Sequence, residues 1–346
     1  MNNPPLNQMI GQLFIVGFKG HTLSHSDPIC RDITERNLGG VILFDRHLAT
    51  QTAANNITGT SQLTNLTNIL QELNSEKLLI AVDQEGGKVN RFRKEYGFPL
   101  TPSAGELGIA DGTRKSTKSA QQTAHMLKSC GINLNLAPVV DLNTNTTNPI
   151  IGKIGRSFSG DPRKVCGHAT TWIVEHQKEG VLSCLKHFPG HGSSKDDSHL
   201  GFVDITETWQ IAELIPYSEL IADGLADAIM VGHLYNNKLD PEYPATLSKK
   251  IITETLKEKM VFRGAVISDD MQMRAITDKY GLEEACIMAI AAGVDIVIIG
   301  NNLSYDPDIF TGVHKAVLKA VDKGILNEDT IKSAWRQVQN FKSLIK

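Results

Sequence analysis

Residues 181–188 read VLSCLKHF, and residues 189–199 continue PGHGSSKDDSH. The first half is a short apolar run with no alternation, as expected of a strand buried on both faces of a parallel sheet. It ends in Lys186 and His187, and then glycines and serines break it. Seven other runs share this form: Leu13–Phe18, Gly40–Phe44, Leu78–Val82, Ile132–Val140, Ala228–Gly232, Gly264–Ser268 and Val294–Gly300. Helix-like segments lie between them. Gln121–Cys130 stops at Gly131, Asp161–Lys178 near Gly180, and Glu283–Ala292 at Gly293, each consistent with a glycine C-cap. Leu63–Leu73 has helical apolar spacing. Thr206 is a candidate N-cap for a helix from Glu207 towards Gly224, and Ser248 for one over Lys249–Lys259. Eight strand–helix repeats predict an α/β fold of the closed (β/α)8 TIM-barrel type, with a doubly wound sheet as the alternative. Asn327–Lys346 reads as a closing helix, so residues 1–346 are expected to form a single domain.

The bulk numbers narrow the function. Hydrophobic residues make up 41% and charged residues 21% of 346 positions, with a formal charge of −3. No basic field is available, so no nucleic-acid partner is expected. The apolar stretch near the N-terminus, Leu13–Phe18, is strand-length and too short to span a bilayer, so no membrane partner is expected either. Five scattered cysteines without a CxxC pair speak for a reducing compartment. No leader is visible ahead of that apolar stretch, and the expected location is cytoplasmic.

In such barrels chemistry sits at the C-terminal ends of the strands. The expected strand ends carry Asp83, Asp141, Lys186-His187, His233 and Asp269-Asp270. One polar strand end means little, because such residues often cap the next helix; five together form a constellation. The loop after the fifth strand is the densest segment, with His187, His191, His199, Asp196 and Asp197. It lacks the HxxxH spacing that sets two ligands on one helix face, and its glycines and serines favour a mobile catalytic loop over a metal site. His191 reads as a structural histidine. Asp197 and His199 are two apart, so an extended loop projects them to one side. A carboxylate beside an imidazole fixes its tautomer and raises its pKa, which suits proton transfer.

At this point the motifs become recognisable. KHFPGHG (186–192) followed by Asp197-Ser198-His199 closely resembles the signature of the family 3 glycoside hydrolases that act as β-N-acetylglucosaminidases. DQEGGKVNR (83–91), NPIIGKIGRSFSGDP (148–162), SDDM (268–271) and IGQL (10–13) resemble that family in the same order. The likeness covers roughly the whole chain and matches the single-domain form. It implies that Asp269 is the nucleophile of a retaining hydrolase and that His199, partnered by Asp197, is the acid/base. It further implies that Asp83, Arg91, Arg156, Lys186 and His187 hold N-acetylglucosamine. Asp269 and Asp270 are adjacent, and strand alternation would let only one face the site. The implied partner is a small carbohydrate, an N-acetylglucosamine-containing muropeptide released in peptidoglycan recycling. No cofactor and no metal are implied. The alternatives are a phosphorylase or a β-glucosidase of the same family, and a non-catalytic sugar-binding barrel.

Overall fold

The computed structural model describes residues 4–52, 54–74, 76–110, 112–197 and 201–346. Eight parallel strands close a barrel in sequence order. They are β1 (Phe14–Gly17), β2 (Gly40–Ile42), β3 (Leu79–Val82), β4 (Leu134–Asn135), β5 (Leu182–Phe188), β6 (Ala228–Val231), β7 (Ala265–Asp270) and β8 (Ile296–Ile299). The last strand pairs with the first, Phe14 opposite Val297. The doubly wound alternative is thereby excluded, since an open sheet has two edges. Runs such as Ile296–Ile299 are buried throughout, as a strand must be when a packed interior lies on one side and helices on the other. Among the described residues, no helix is long and apolar enough to cross a membrane.

Several elements differ from expectation for identifiable reasons. The fourth strand is only Leu134–Asn135. Pro138 has no N–H for the ladder, and pairing resumes at Val139, opposite Lys186. Asp141 therefore lies six residues beyond the strand end. The helix expected from Gln121 begins at Arg114. Its buried face holds Ser116, Ser119 and Thr123, and these small polar residues hide the apolar period; Ser116 Oγ bonds His168 Nδ1 of the next helix at 2.7 Å. Thr206 caps no helix. Its hydroxyl accepts from Asn237 N at 2.9 Å, and the helical turns begin at Ile211, where Gln210 and Glu213 form a capping box. Ser248 does cap: its hydroxyl accepts from Ile251 N at 3.1 Å, ahead of Lys250–Lys259, which is wound as a π-helix. The closing helix is Glu328–Ser343, capped by Asn327.

That last helix carries a buried cation to the N-terminal end of the barrel. Lys342 is 5% exposed and its Nζ donates to Gln12 Oε1 at 2.7 Å. Burial pushes its pKa down to about 7 against the pull of Glu76. The unfolded chain, with an ordinary lysine near 10.4, binds more protons than the fold between these values, so stability should rise with pH from about 7 to about 10. Lys342→Met should flatten that slope and raise the melting temperature at pH 7, because Gln12 Oε1 keeps Gln339 Nε2 as a donor. Thermal unfolding of both proteins across pH 6–10 tests this, and parallel curves would refute it.

Candidate active site

The floor of the site is built where β3 ends. Alternation sends Asp83 and Glu85 to one side and Gln84 to the other. Gln84 is fully buried, and its Oε1 accepts from the backbone of Arg91 at 3.0 Å and Phe92 at 3.2 Å. Between them the chain reverses sharply. Gly86 and Gly87 have φ of +99° and +58°, and a Cβ on Gly86 would lie 2.2 Å from Pro102 O, so both turns require glycine. The reversal returns Arg91 to the mouth, 3.6 Å from Asp83 and 3.8 Å from Asp45, with its guanidinium 5.7 Å over the Phe44 ring. Arg91 begins no helix.

Glu85 is 7% exposed and Arg156 9%. Arg156 grips it with two bonds, Nε to Oε2 and Nη2 to Oε1, both 2.8 Å. Lys186, rising from β5, places Nζ 2.7 Å from Glu85 Oε1 and 2.8 Å from Asp83 Oδ1. Burial alone would raise the Glu85 pKa, but the charges of Arg156 and Lys186 outweigh it and hold the carboxyl well below the usual range. Burial would likewise lower Lys186, and Asp83 and Glu85 instead keep it raised. Ion pairs this enclosed stay charged only when fully partnered.

His187 stands beside this cluster. Its Nδ1 is 2.7 Å from Asp141 Oδ2 and its Nε2 is 3.2 Å from Arg156 Nη2. Arginine only donates, so Nε2 accepts and the proton belongs on Nδ1, shared with Asp141. Asp141 Oδ1 also accepts from the backbone of His187 at 3.0 Å and His191 at 2.8 Å. Burial would raise the Asp141 pKa; the neighbouring histidines and their bonds lower it overall. His191 is structural, as expected. It is buried, its Nδ1 meets Ser194 Oγ at 2.8 Å, and burial with His187 nearby pushes its pKa down to about 4.

On the opposite wall, both Asp269 and Asp270 border the cavity, although alternation would admit only one. The reason is a bulge in β7. Ile267 to Asp270 is three steps along the chain while the paired Ile296 to Ile298 is two, so the alternation is broken there. Hydrogen bonding separates the two carboxylates. Asp270 Oδ1 accepts from Gly300 N at 2.8 Å and Gln272 N at 3.0 Å, which ties β7 to β8. Asp269 Oδ1 accepts from Asp270 N at 2.8 Å. His233, beyond β6, bonds the Asp270 carbonyl at 2.9 Å through Nε2.

These residues line one cavity of ≈ 230 Å³, with Asp83, Arg91, Arg156, Lys186, His187 and Asp269 all on its wall. Six of the eight expected site residues are thus brought together. Asp197 is half-buried in the loop beyond and does not line this cavity. His199 lies outside the described residues. Glu85, Asp45 and Phe44 are wall residues that the sequence reading had not singled out. Among the described residues, no group of three or more His, Cys, Asp or Glu is placed to hold a metal ion.

A barrel whose strand ends hold a paired-carboxylate wall and a floor of balanced, fixed ion pairs invites comparison with sugar-processing proteins. Residues 5–341 match the model of the glycosyl hydrolase family 3 N-terminal domain. The chain belongs to glycosyl hydrolase family 3. A beta-hexosaminidase from Tolumonas auensis is 35% identical over 88% of this chain and 89% of its own length. Beta-hexosaminidase A from Pseudoalteromonas piscicida is 30% identical over 97% of this chain, which spans 61% of that protein. Among solved structures, the family 3 beta-N-acetylglucosaminidase from a Paenibacillus species superposes with a TM-score of 0.89 at 32% identity, over 99% of this chain and 63% of that one. The beta-N-acetylhexosaminidase from Beutenbergia cavernae gives 0.87 at 28% identity, over 99% of both. This family 3 chain therefore spans less than two thirds of some relatives and nearly all of others.

The enclosed ion cluster makes a direct prediction about stability. Glu85→Gln leaves Arg156 and Lys186 with one charge too few between them, and removing one partner of a buried ion pair costs about 3–5 kcal/mol. Urea unfolding at neutral pH should show a loss of that size; a change below about 1 kcal/mol would show that the cluster is wetter than its burial indicates.

Proposed function

We propose that this chain is a retaining β-N-acetylhexosaminidase that removes terminal, non-reducing N-acetylglucosamine from β-linked glycosides. Asp269 is the nucleophile and His199, partnered by Asp197, is the acid/base. The observation that carries the reading is Asp269 on the wall of a cavity whose floor is the Asp83, Glu85, Arg156, Lys186 and His187 cluster. The names of the relatives support the sugar class. The choice of Asp269 over Asp270 is supported by the latter's carboxylate, which is engaged by two backbone N–H groups that brace the strand end.

In the first step a carboxylate oxygen of Asp269 bonds to the anomeric carbon as the glycosidic C–O bond breaks. His199 gives its proton to the leaving oxygen. In the second, a water molecule loses a proton to His199 and attacks the same carbon, releasing Asp269 and retaining the β configuration. The fixed donors of Lys186, Arg156 and Arg91 and the acceptor oxygens of Asp83 suit sugar hydroxyls, and they are preorganised by the ion network rather than by the sugar. We further propose muropeptide fragments from cell-wall recycling as the physiological substrate, with the enzyme working as a single catalytic domain in the cytoplasm.

An aryl N-acetyl-β-glucosaminide assay tests the core of this. The wild type should turn it over, and Asp269→Ala should cut kcat by at least about 10³-fold. Asp270→Asn, which keeps an oxygen for the Gly300 and Gln272 N–H groups, should lose far less. The reverse ranking would transfer the nucleophile to Asp270. The product should be the free sugar whether or not phosphate is present; a sugar 1-phosphate would mark a phosphorylase instead.

His199→Ala should slow glycosides with poor leaving groups by about 10²–10⁴-fold and activated aryl glycosides much less in the bond-breaking step. Equal losses on both, measured by pre-steady-state release of the aglycone, would remove His199 from the acid role.

A further inference from the structure

The C-terminal rim of the barrel carries a second hollow, of ≈ 280 Å³, beside the main cavity. Loops after three consecutive strands build it. Phe202 comes from the loop after β5, Tyr235 from the loop after β6, and Tyr280 from the helix Arg274–Tyr280 after β7. A short two-stranded ladder pairs Val203 with Leu234 and Asp204 with Tyr235, which brings the Phe202 and Tyr235 rings to 5.2 Å between centroids. Phe202 is 57% exposed, so its ring is accessible from the hollow. Pro244 and Ala275 close the wall, and Glu242 and Lys279 stand at the edge. The Tyr280 hydroxyl oxygen is buried without a hydrogen-bond partner, although buried hydroxyls normally have one.

The hollow and the site draw on neighbouring residues of the segment after β7. Met273 lines the main cavity, and Ala275, two residues on, lines the hollow. Phe202 is three residues beyond His199 in sequence, within about 10 Å of chain. Phe202 thus belongs to the same loop after β5 as the residue that the proposed function makes the acid/base, the group that meets the leaving oxygen. The surface chemistry suits a pyranose ring. Aromatic faces carry partial negative charge and attract the polarised C–H face of a sugar, while the charged edge formed by Glu242 and Lys279 suits its polar rim. A peptide would need backbone donors and acceptors along the groove, and the walls here are proline, alanine and aromatic rings.

We infer that the Phe202–Tyr235–Tyr280 hollow is a subsite for the leaving-group side of a β-linked amino-sugar chain, one or two rings beyond the bond that is cut. This rests on the hydrolase reading above, and it adds that the enzyme prefers oligosaccharides to short glycosides.

The test compares β-1,4-linked N-acetylglucosamine oligomers of two, three and four rings with the aryl glycoside, on wild type, Phe202→Ala and Phe202→Trp. The wild type should gain in kcat/KM with chain length. Phe202→Ala should erase about three- to tenfold of that gain, the worth of one stacking contact, through KM and without change on the aryl glycoside. Phe202→Trp should keep it. Absence of a chain-length gain in the wild type, or its persistence in Phe202→Ala, overturns the subsite. So does a Phe202 dependence that appears only on peptide-bearing sugars. Calorimetric binding of the same oligomers to Asp269→Ala and to Asp269→Ala/Phe202→Ala asks the question without turnover. A wild type inert on the aryl glycoside, combined with Phe202-dependent oligomer binding, would sink the hydrolase reading and leave the subsite standing.

Discussion

Glu85 carries a negative charge into a space almost closed to water, and the rest of the site is arranged around keeping it there. An unpaired carboxylate so placed would cost several kcal/mol or take up a proton. Arg156 and Lys186 prevent both. Each comes from a different strand end: Glu85 after β3, Arg156 from the loop after β4, Lys186 from β5. The single carboxylate thus clamps three adjacent loops. Asn148, fully buried, extends the clamp. Its Oδ1 accepts from Ile150 and Ile151 N at 3.0 Å, and its Nδ2 donates to His191 O at 2.7 Å. The segment that delivers Arg156 is thereby fastened to the root of the loop after β5. Four of the five N–H donors of Arg156 are engaged by Glu85, Ile150 O and His187, so its orientation is set before any sugar arrives, which is what electrostatic preorganisation requires.

Much of this was legible in the residues. Eight apolar, β-branched runs foretold eight buried strands, because a strand covered on both faces has no polar period to show. The runs overstated strand length. Leu136, Val139 and Val140 are as buried as the ladder residues, and apolarity reports burial, not hydrogen-bonded pairing. The helix from Arg114 began unseen because its packed face uses serine and threonine. In the site, the family motifs led to six residues that share one cavity, yet Glu85, inside the same DQEGG motif, was passed over. The signal was present: Asp83 and Glu85 are two apart at a strand end and must share a face. What no local pattern could reveal is that Arg156, 71 positions away, completes its pair.

The alternation rule failed at two places, and both failures fall at the chemistry. In β5, Leu185 to Phe188 is three steps along the chain against two in β6, from Ile229 to Val231. In β7 the same count separates Ile267–Asp270 from Ile296–Ile298. Each bulge adds one residue, and each lets two successive polar residues, Lys186-His187 and Asp269-Asp270, border one cavity. A regular strand would have sent one of each pair into the packing between sheet and helices, where a charge has no partner. The extra residue interrupts the ladder locally, a loss that the ion cluster and the Asp270–Gly300 bond offset. Bulging on β5 and β7 thus gives a barrel of short strands a denser polar wall than its strand number alone provides. It also allows neighbouring carboxylates to differ in task, because Asp270 is occupied in bracing β7 against β8 while Asp269 borders the cavity beside it.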